Sequence, residues 1–309
     1  MSTNSITRLI SAVDTDRLSA HVYYLASDPL PRRTLNFTLP GHDRCTLYEA
    51  DDYIEAQLRS WGHSVDREAV QVQAYRRDRA KPKSSQYSPP QPDDPWYTAY
   101  NLYARKTGTE IPDEIIVVCS HKDSQSWCPS PGANDNAMGT AANLEMARVL
   151  ADVPTRRSLW FLFCNEEHTP WTSVHAAEGA RDRGDNIVAV FNTDSLGRKS
   201  YADTRAGRMK NVTLFTTPEG EALADLMAEM KDRYGLGFEQ RKQQRLVPGD
   251  DDGSFVKAGF GAAIMNLGSF PYADPCYHAE CDVPCHCDFR NAALVTQATL
   301  AAILTLDVR

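Results

Sequence analysis

The sequence predicts an α/β protein, a three-layer αβα sandwich around a central mixed, mostly parallel sheet. Three observations carry that expectation. Runs such as Ile115-Ile116-Val117-Val118-Cys119 and Leu159-Trp160-Phe161-Leu162-Phe163-Cys164 are too continuously apolar for strands with one wet face. Between such runs lie segments with apolar residues at helical spacing. The two kinds alternate along the chain, as they do when parallel strands are joined by crossover helices.

Taken in order, residues 6–26 carry apolar residues at helical spacing. Residues 46–61 do so again, with Gly62 as a C-terminal stop. Residues 64–74 alternate as a strand. Residues 76–96 are polar and rich in proline, which predicts a surface excursion. Strands are expected at 97–106, 113–120, 158–164, 186–192, 212–216 and 261–267. Helices are expected at 137–150, 171–181, 219–234 and 289–306. With 309 residues and no internal repeat or linker, the chain reads as one domain, 1–309. In that reading 1–96 is a helical and β addition packed on a core of 97–309.

Composition narrows the function classes. Hydrophobic residues make up 42% and charged residues 24%, enough for a sizeable core, and the formal net charge is −8. No basic patch interleaved with aromatics stands out, so nucleic acid is not an expected partner. Residues 1–13 lack the apolar stretch of a secretory leader, which predicts a cytoplasmic location. No run is expected to approach the length of a transmembrane helix. Of the eight cysteines, Cys119 and Cys164 sit in apolar strands and read as buried small hydrophobes. The late cluster Cys276, Cys281, Cys285 and Cys287 lacks paired C-x-x-C spacing. Free thiols or one local disulfide fit it better than structural zinc.

The chemistry gathers at strand ends. The strand ending at Ser120 runs into His121-Lys122-Asp123-Ser124, then Pro131-Gly132-Ala133-Asn134-Asp135-Asn136. The strand ending at Cys164 runs into Asn165-Glu166-Glu167, and that ending at Phe191 into Asn192-Thr193-Asp194-Ser195. Pro275-Cys276-Tyr277-His278 follows the last apolar strand. Each piece alone is ordinary: a strand-end Asp usually caps a turn, and a Glu pair usually sits in solvent. Together they place His, Asp and Glu where the loops of an open α/β sheet converge. His and carboxylates suit divalent metals such as zinc. Adjacent side chains in extended backbone point apart, so one glutamate can bind a metal while the other takes a proton from water. His121 and His278 would bind different ions, and one Asp could bridge them.

The sequence resembles metallopeptidase family twenty-eight, the co-catalytic zinc aminopeptidases related to glutaminyl cyclases and glutamate carboxypeptidase. The likeness runs from about Tyr97 to the C-terminus, on the motifs His121-Lys122-Asp123-Ser124, Gly132-Ala133-Asn134-Asp135-Asn136-Ala137-Met138-Gly139, Glu166-Glu167, Asn192-Thr193-Asp194 and Tyr277-His278. It implies a zinc-dependent exopeptidase fold and two divalent metal ions, zinc above all. His121 and Asp194 would bind one ion, Glu167 and His278 the other, with Asp135 bridging. Glu166 would be the general base. Asp123 would hold the His121 ring from behind, and Tyr277 would steady the oxyanion. A cis peptide is expected at Asp135-Asn136. His168 is not an expected ligand.

The chain departs from the pattern where members carry a Ser-Asp-His-like stretch. Here it reads Gly249-Asp250-Asp251-Asp252, with Asp252 where His or Tyr is usual and no Arg directly before it. Asp251 and Asp252 are candidates for anchoring an amine or a basic side chain; the competing reading is a solvated acidic turn capping a helix. Trp171, Phe270 and Tyr272 are candidate pocket walls. The implied activity is removal of N-terminal residues from peptide or aminoacyl substrates. The alternatives are a single-zinc glutaminyl cyclase-like acyl transferase, a carboxypeptidase, or a non-catalytic binding module on the same fold.

Overall fold

The computed structural model describes residues 2–270 and 273–308. Helices are α1 (Thr3–Ile10), α2 (Thr15–Ala26), α3 (Thr46–Ser60), α4 (Gly139–Leu150), α5 (Thr172–Arg183), α6 (Tyr201–Arg205), α7 (Pro218–Arg233), α8 (Asp250–Ala258) and α9 (Phe289–Val308). Strands are β1 (Val65–Ala74), β2 (Arg76–Arg77), β3 (Tyr87–Ser88), β4 (Trp96–Lys106), β5 (Ile111–His121), β6 (Arg157–Cys164), β7 (His168–Thr169), β8 (Asn186–Thr193), β9 (Lys210–Phe215), β10 (Glu239–Gln244) and β11 (Ala263–Leu267).

Among the described residues, nine strands form one sheet in the order β10-β9-β11-β8-β5-β6-β4-β1-β7. The centre, β11-β8-β5-β6, is parallel throughout. Beyond it, β9 joins β11 and β4 joins β6 antiparallel, and β1 pairs antiparallel with both β4 and β7. The sheet is therefore mixed, and its parallel part is the part whose C-terminal ends meet. Because β1 pairs with β4 from Val65 to Gln73, residues before 97 supply a strand of the main sheet.

The continuous apolar runs are explained by two covered faces. Along β5, Ile116 and Val118 face a core built with α1, α2, α3, α4, α7 and α9. Their neighbours Ile115, Val117 and Cys119 face a second core with α5 and α8. That is the three-layer arrangement. Helix starts follow local chemistry. Asp14 accepts the N–H groups of Asp16 and Arg17 at the start of α2, and Thr217 caps α7 ahead of Pro218.

Three expectations are corrected. Helix α9 has 20 residues and a mean hydropathy of 1.4, long and apolar enough to cross a membrane, contrary to the expectation that no run reaches that length. It is 78% buried within the fold, which makes it a core helix. Second, β10 was not foreseen, because Glu239 to Gln244 carries no apolar alternation; it is an exposed edge strand. Third, Asp251 and Asp252 are not a solvated turn, since both are fully buried in the first turn of α8.

Candidate metal centre

Strands β5, β6 and β8 lie side by side, with His121 in register with Cys164 and Cys119 with Asn192. His121 ends β5, Glu166-Glu167 follow β6, and Asp194 follows β8, so their side chains leave the same edge. Asp135 comes from the turn entering α4. That turn lies against the end of β8: Asn136 Nδ2 donates to the Thr193 carbonyl, and Asn136 Oδ1 accepts the Gly139 N–H. A side chain at Gly139 would meet Thr193 O at 2.0 Å, so only glycine allows this approach. The Asp135–Asn136 peptide is cis, as the resemblance implies.

Asp135 divides its carboxylate. Oδ1 lies 3.1 Å from His121 Nε2, and Oδ2 lies 3.2 Å from His278 Nε2. Asp194 Oδ1 is 3.8 Å from His121 Nε2, and Glu167 Oε1 is 3.5 Å from His278 Nε2. The result is two groups of three donors, His121–Asp135–Asp194 and Asp135–Glu167–His278, each within 4.8 Å. Each group could hold one divalent ion. Both rings have their other nitrogen engaged: His121 Nδ1 with Asp123 Oδ1 at 3.2 Å, and His278 Nδ1 with the Ser84 carbonyl at 2.8 Å. A proton on each Nδ1 leaves the Nε2 lone pairs facing the site.

Electrostatics fit cations here. Burial, then Asp135, against the pull of His278, pushes Glu167 up to about 8. Burial and Asp135 push Asp194 up to about 8 as well. Burial opposes charge on His278, yet Glu167 and Asp135 raise it to about 9. Carboxylates packed this closely hold protons unless a cation offsets them, and the imidazole and carboxylate donors suit zinc.

Asp123 does more than steady one ring. Its Oδ1 also accepts the Glu166 N–H at 3.0 Å; its Oδ2 accepts the Glu167 N–H at 2.9 Å and pairs with His168 Nδ1 at 2.8 Å. Burial alone would raise its pKa, but hydrogen bonds from His121 and His168 hold it well below the usual carboxylate range. His168 Nε2 in turn accepts the Leu35 N–H, so His168 braces Asp123 and lies outside both donor groups. Glu166 is half-buried beside the donors, with its Oε2 buried and unpaired among protein groups. Burial and then Asp251 and Asp250 raise its pKa well above the carboxylate range.

Two adjoining cavities open on these residues. One of about 140 Å³ is lined by His121, Asp135, Glu166, Glu167 and His278, with Trp171 on its wall. The other, about 270 Å³, has Leu214, Met265, Leu267 and Phe270 as apolar walls. Tyr277 borders both, its ring stacked on His278 at 3.7 Å. Trp171 and Phe270 thus stand where pocket walls were expected. Tyr272 lies outside the described residues. Asp251 and Asp252 line neither cavity: Asp252 pairs with Arg245, and Asp251 lies behind the site, against Cys164 and Ser173. The member of that run that reaches the cavities is Asp250.

Several contributors were not legible in the sequence. Gln125 Nε2 donates to Glu167 Oε1 at 2.5 Å and to Asp135 Oδ2 at 3.0 Å, joining one ligand of the second group to the shared one. Asp282 accepts the N–H groups of Asn134 and Asp135. The proline-rich excursion folds over the site, bringing Ser84 to His278 and Tyr87 to the cavity wall. Cys276 and Cys281 form a disulfide around Tyr277 and His278, which meets the local-disulfide expectation. Only that disulfide had a signal in the sequence, in the cysteine spacing.

Residues 101–303 match the profile of Peptidase family M28. The chain belongs to that family. A probable aminopeptidase of Saccharomyces cerevisiae is 26% identical over 219 residues, covering 67% of this chain and 57% of that protein. A probable zinc metalloprotease of Pyrenophora teres f. teres is 30% identical over 204 residues, 63% of this chain and 40% of that protein. The chain therefore spans about half the length of these curated relatives. The glutaminyl cyclase of Bacteroides thetaiotaomicron superposes with a TM-score of 0.71 at 17% identity, over 94% of this chain and 98% of that one, which shows the shared fold.

Proposed function

We propose that this M28 protein is an aminopeptidase with two divalent ions, zinc by choice of donors, that removes N-terminal residues from peptides. The observation that carries the reading is Asp135, which offers one oxygen to each of two complete donor groups. His121 and Asp194 complete one, Glu167 and His278 the other. Bound there, the ions supply Lewis-acid polarisation of the scissile carbonyl and make water acidic enough to attack near neutral pH. Glu166 takes the proton from the attacking water and returns it to the leaving amine. Asp123 fixes the backbone of Glu166 and Glu167 while it orients His121. The Tyr277 hydroxyl, beside His278, donates to the developing oxyanion.

Relatives named as a probable aminopeptidase and a probable zinc metalloprotease support this reading. A single-zinc glutaminyl cyclase has only the shared fold in its favour, and it would leave one donor group without a task. A carboxypeptidase needs a free cation for the substrate's carboxylate. Arg245 is the cationic residue on the larger cavity's lining, and its two Nη groups are committed to Asp250 and Asp252. The test is a panel of aminoacyl anilides, N-acylated counterparts and peptides beginning with Gln, assayed with zinc, cobalt and manganese. Hydrolysis confined to free N-termini is expected. Cyclisation of N-terminal Gln without hydrolysis would sink the reading.

A further inference from the structure

The two cavities share three lining residues, Asp194, Asp250 and Tyr277. On the aminopeptidase reading, on which this argument rests, the scissile carbonyl lies among the ligands in the smaller cavity. The first side chain then fills the larger one, against Leu214, Met265, Leu267 and Phe270. The α-carbon, and with it the α-ammonium group, falls at the junction. Asp194 belongs to a donor group, and Tyr277 offers a neutral hydroxyl. Asp250 is the junction carboxylate that neither donor group uses.

Its setting holds it there. Asp250 is the first residue of α8 and has φ +57°, in the left-handed region, where Asp and Asn are among the few tolerated side chains. Arg245 Nη1 donates to its Oδ2 at 2.5 Å and also pairs with buried Asp252, pinning the side chain from one flank. The Asp250 side chain stays 34% exposed, unlike the fully buried side chain of Asp252. An acidic residue in a first helical turn commonly just offsets the helix dipole. Asp251 and Asp252 are buried away from both cavities and fit that role. Asp250 borders both cavities, which a dipole role does not require. We propose that Asp250 anchors the α-ammonium group of the substrate and so selects free N-termini.

Two inhibitors separate this from a structural role. Leucine hydroxamate and isocaproyl hydroxamate both reach the metal centre, and only the first carries the amine. Their inhibition constants are measured on the zinc-loaded full chain and on Asp250→Asn, which keeps the tolerated backbone. The variant should weaken leucine hydroxamate by at least about tenfold, the scale of a lost charge-assisted hydrogen bond. Isocaproyl hydroxamate should change by less than about twofold. Equal weakening of both, or no change in either, overturns the proposal. If Asp250→Asn does not fold, Asp250→Ser carries the same expectation. Wild-type protein that cleaves leucyl anilide but shows the wrong inhibitor pattern defeats this inference alone. Wild-type protein that cleaves no aminoacyl anilide defeats the aminopeptidase reading and this inference with it.

Discussion

At the scale of single residues, Asp123 connects the parts of the site. It touches the His121 ring, the backbone of Glu166, the proposed general base, and the backbone of Glu167 in the second donor group. Asp123→Asn replaces one accepting oxygen with an NH₂ that faces N–H donors. Zinc affinity should fall about 10–100-fold by chelator competition. If Asp123 also positions Glu166, kcat should stay low even at saturating zinc; full recovery there would confine its role to the metal. Glu166→Gln should lower kcat by about 10²–10⁴-fold with zinc content unchanged. Loss of zinc in that variant would make Glu166 a ligand. The residues of the two donor groups and Glu166 could be expected near one another because most follow an apolar strand whose end is predictable. Gln125, Asp282 and Ser84 were not, because they reach the site through loops with no period. Asp250 was hidden by its neighbours: three aspartates in a row look alike until φ and burial separate them.

At the scale of elements, burial of polar groups ties the N-terminal helices to the site. Lys122, next to His121, is fully buried and pairs with Asp51 of α3 at 2.8 Å and with Asn165 at 2.8 Å. Lys122→Met would leave Asp51 buried and unpaired, and should destabilise the fold by about 3–5 kcal/mol in urea. Asp51→Asn combined with Lys122→Met should recover much of that, and additive losses would refute the pairing. Helix α2 carries a second such group. His21 packs against Tyr53, its Nδ1 2.7 Å from the Tyr53 hydroxyl. Burial, with Arg17 and Arg148 nearby, lowers its pKa from 6.5 to about 4. Between those values the unfolded chain takes up the proton and the folded chain does not. Stability should therefore fall as pH drops from 6.5 to 4, by about 3 kcal/mol from this residue. Carboxylates titrate in the same range, so the readout is the difference in pH slope between wild type and His21→Gln. Parallel slopes would contradict it. These helices were legible from their periodicity, but their polar ties to the site were not, since a buried lysine or histidine has the same letter as an exposed one.

At the scale of the whole molecule, the sheet acts as a platform whose parallel centre delivers three strand ends to one place. That much follows from alternating apolar runs and helical segments, and it is why the fold class could be read before the structure. The outer pairings, antiparallel for β1 and parallel for β10, could not, because they depend on which edge the amphipathic strand β1 and the polar strand β10 choose. The same platform concentrates Asp135, Glu167 and Asp194, whose mutual repulsion is relieved by cations. Removing the ions with a chelator should lower the melting temperature reversibly, since ions that bind only the folded state stabilise it by mass action. The cytoplasmic location expected from the first residues predicts a reduced Cys276–Cys281 pair in cells, whereas an oxidising compartment would keep it as the disulfide; thiol labelling in cells distinguishes the two.

In the proposed centre Asp135 joins two metal sites. Zinc per chain, measured by elemental analysis on protein at full aminopeptidase activity, tests it directly. Two ions per wild-type chain and one per chain in His278→Ala are expected. Full activity with a single ion per wild-type chain would contradict it.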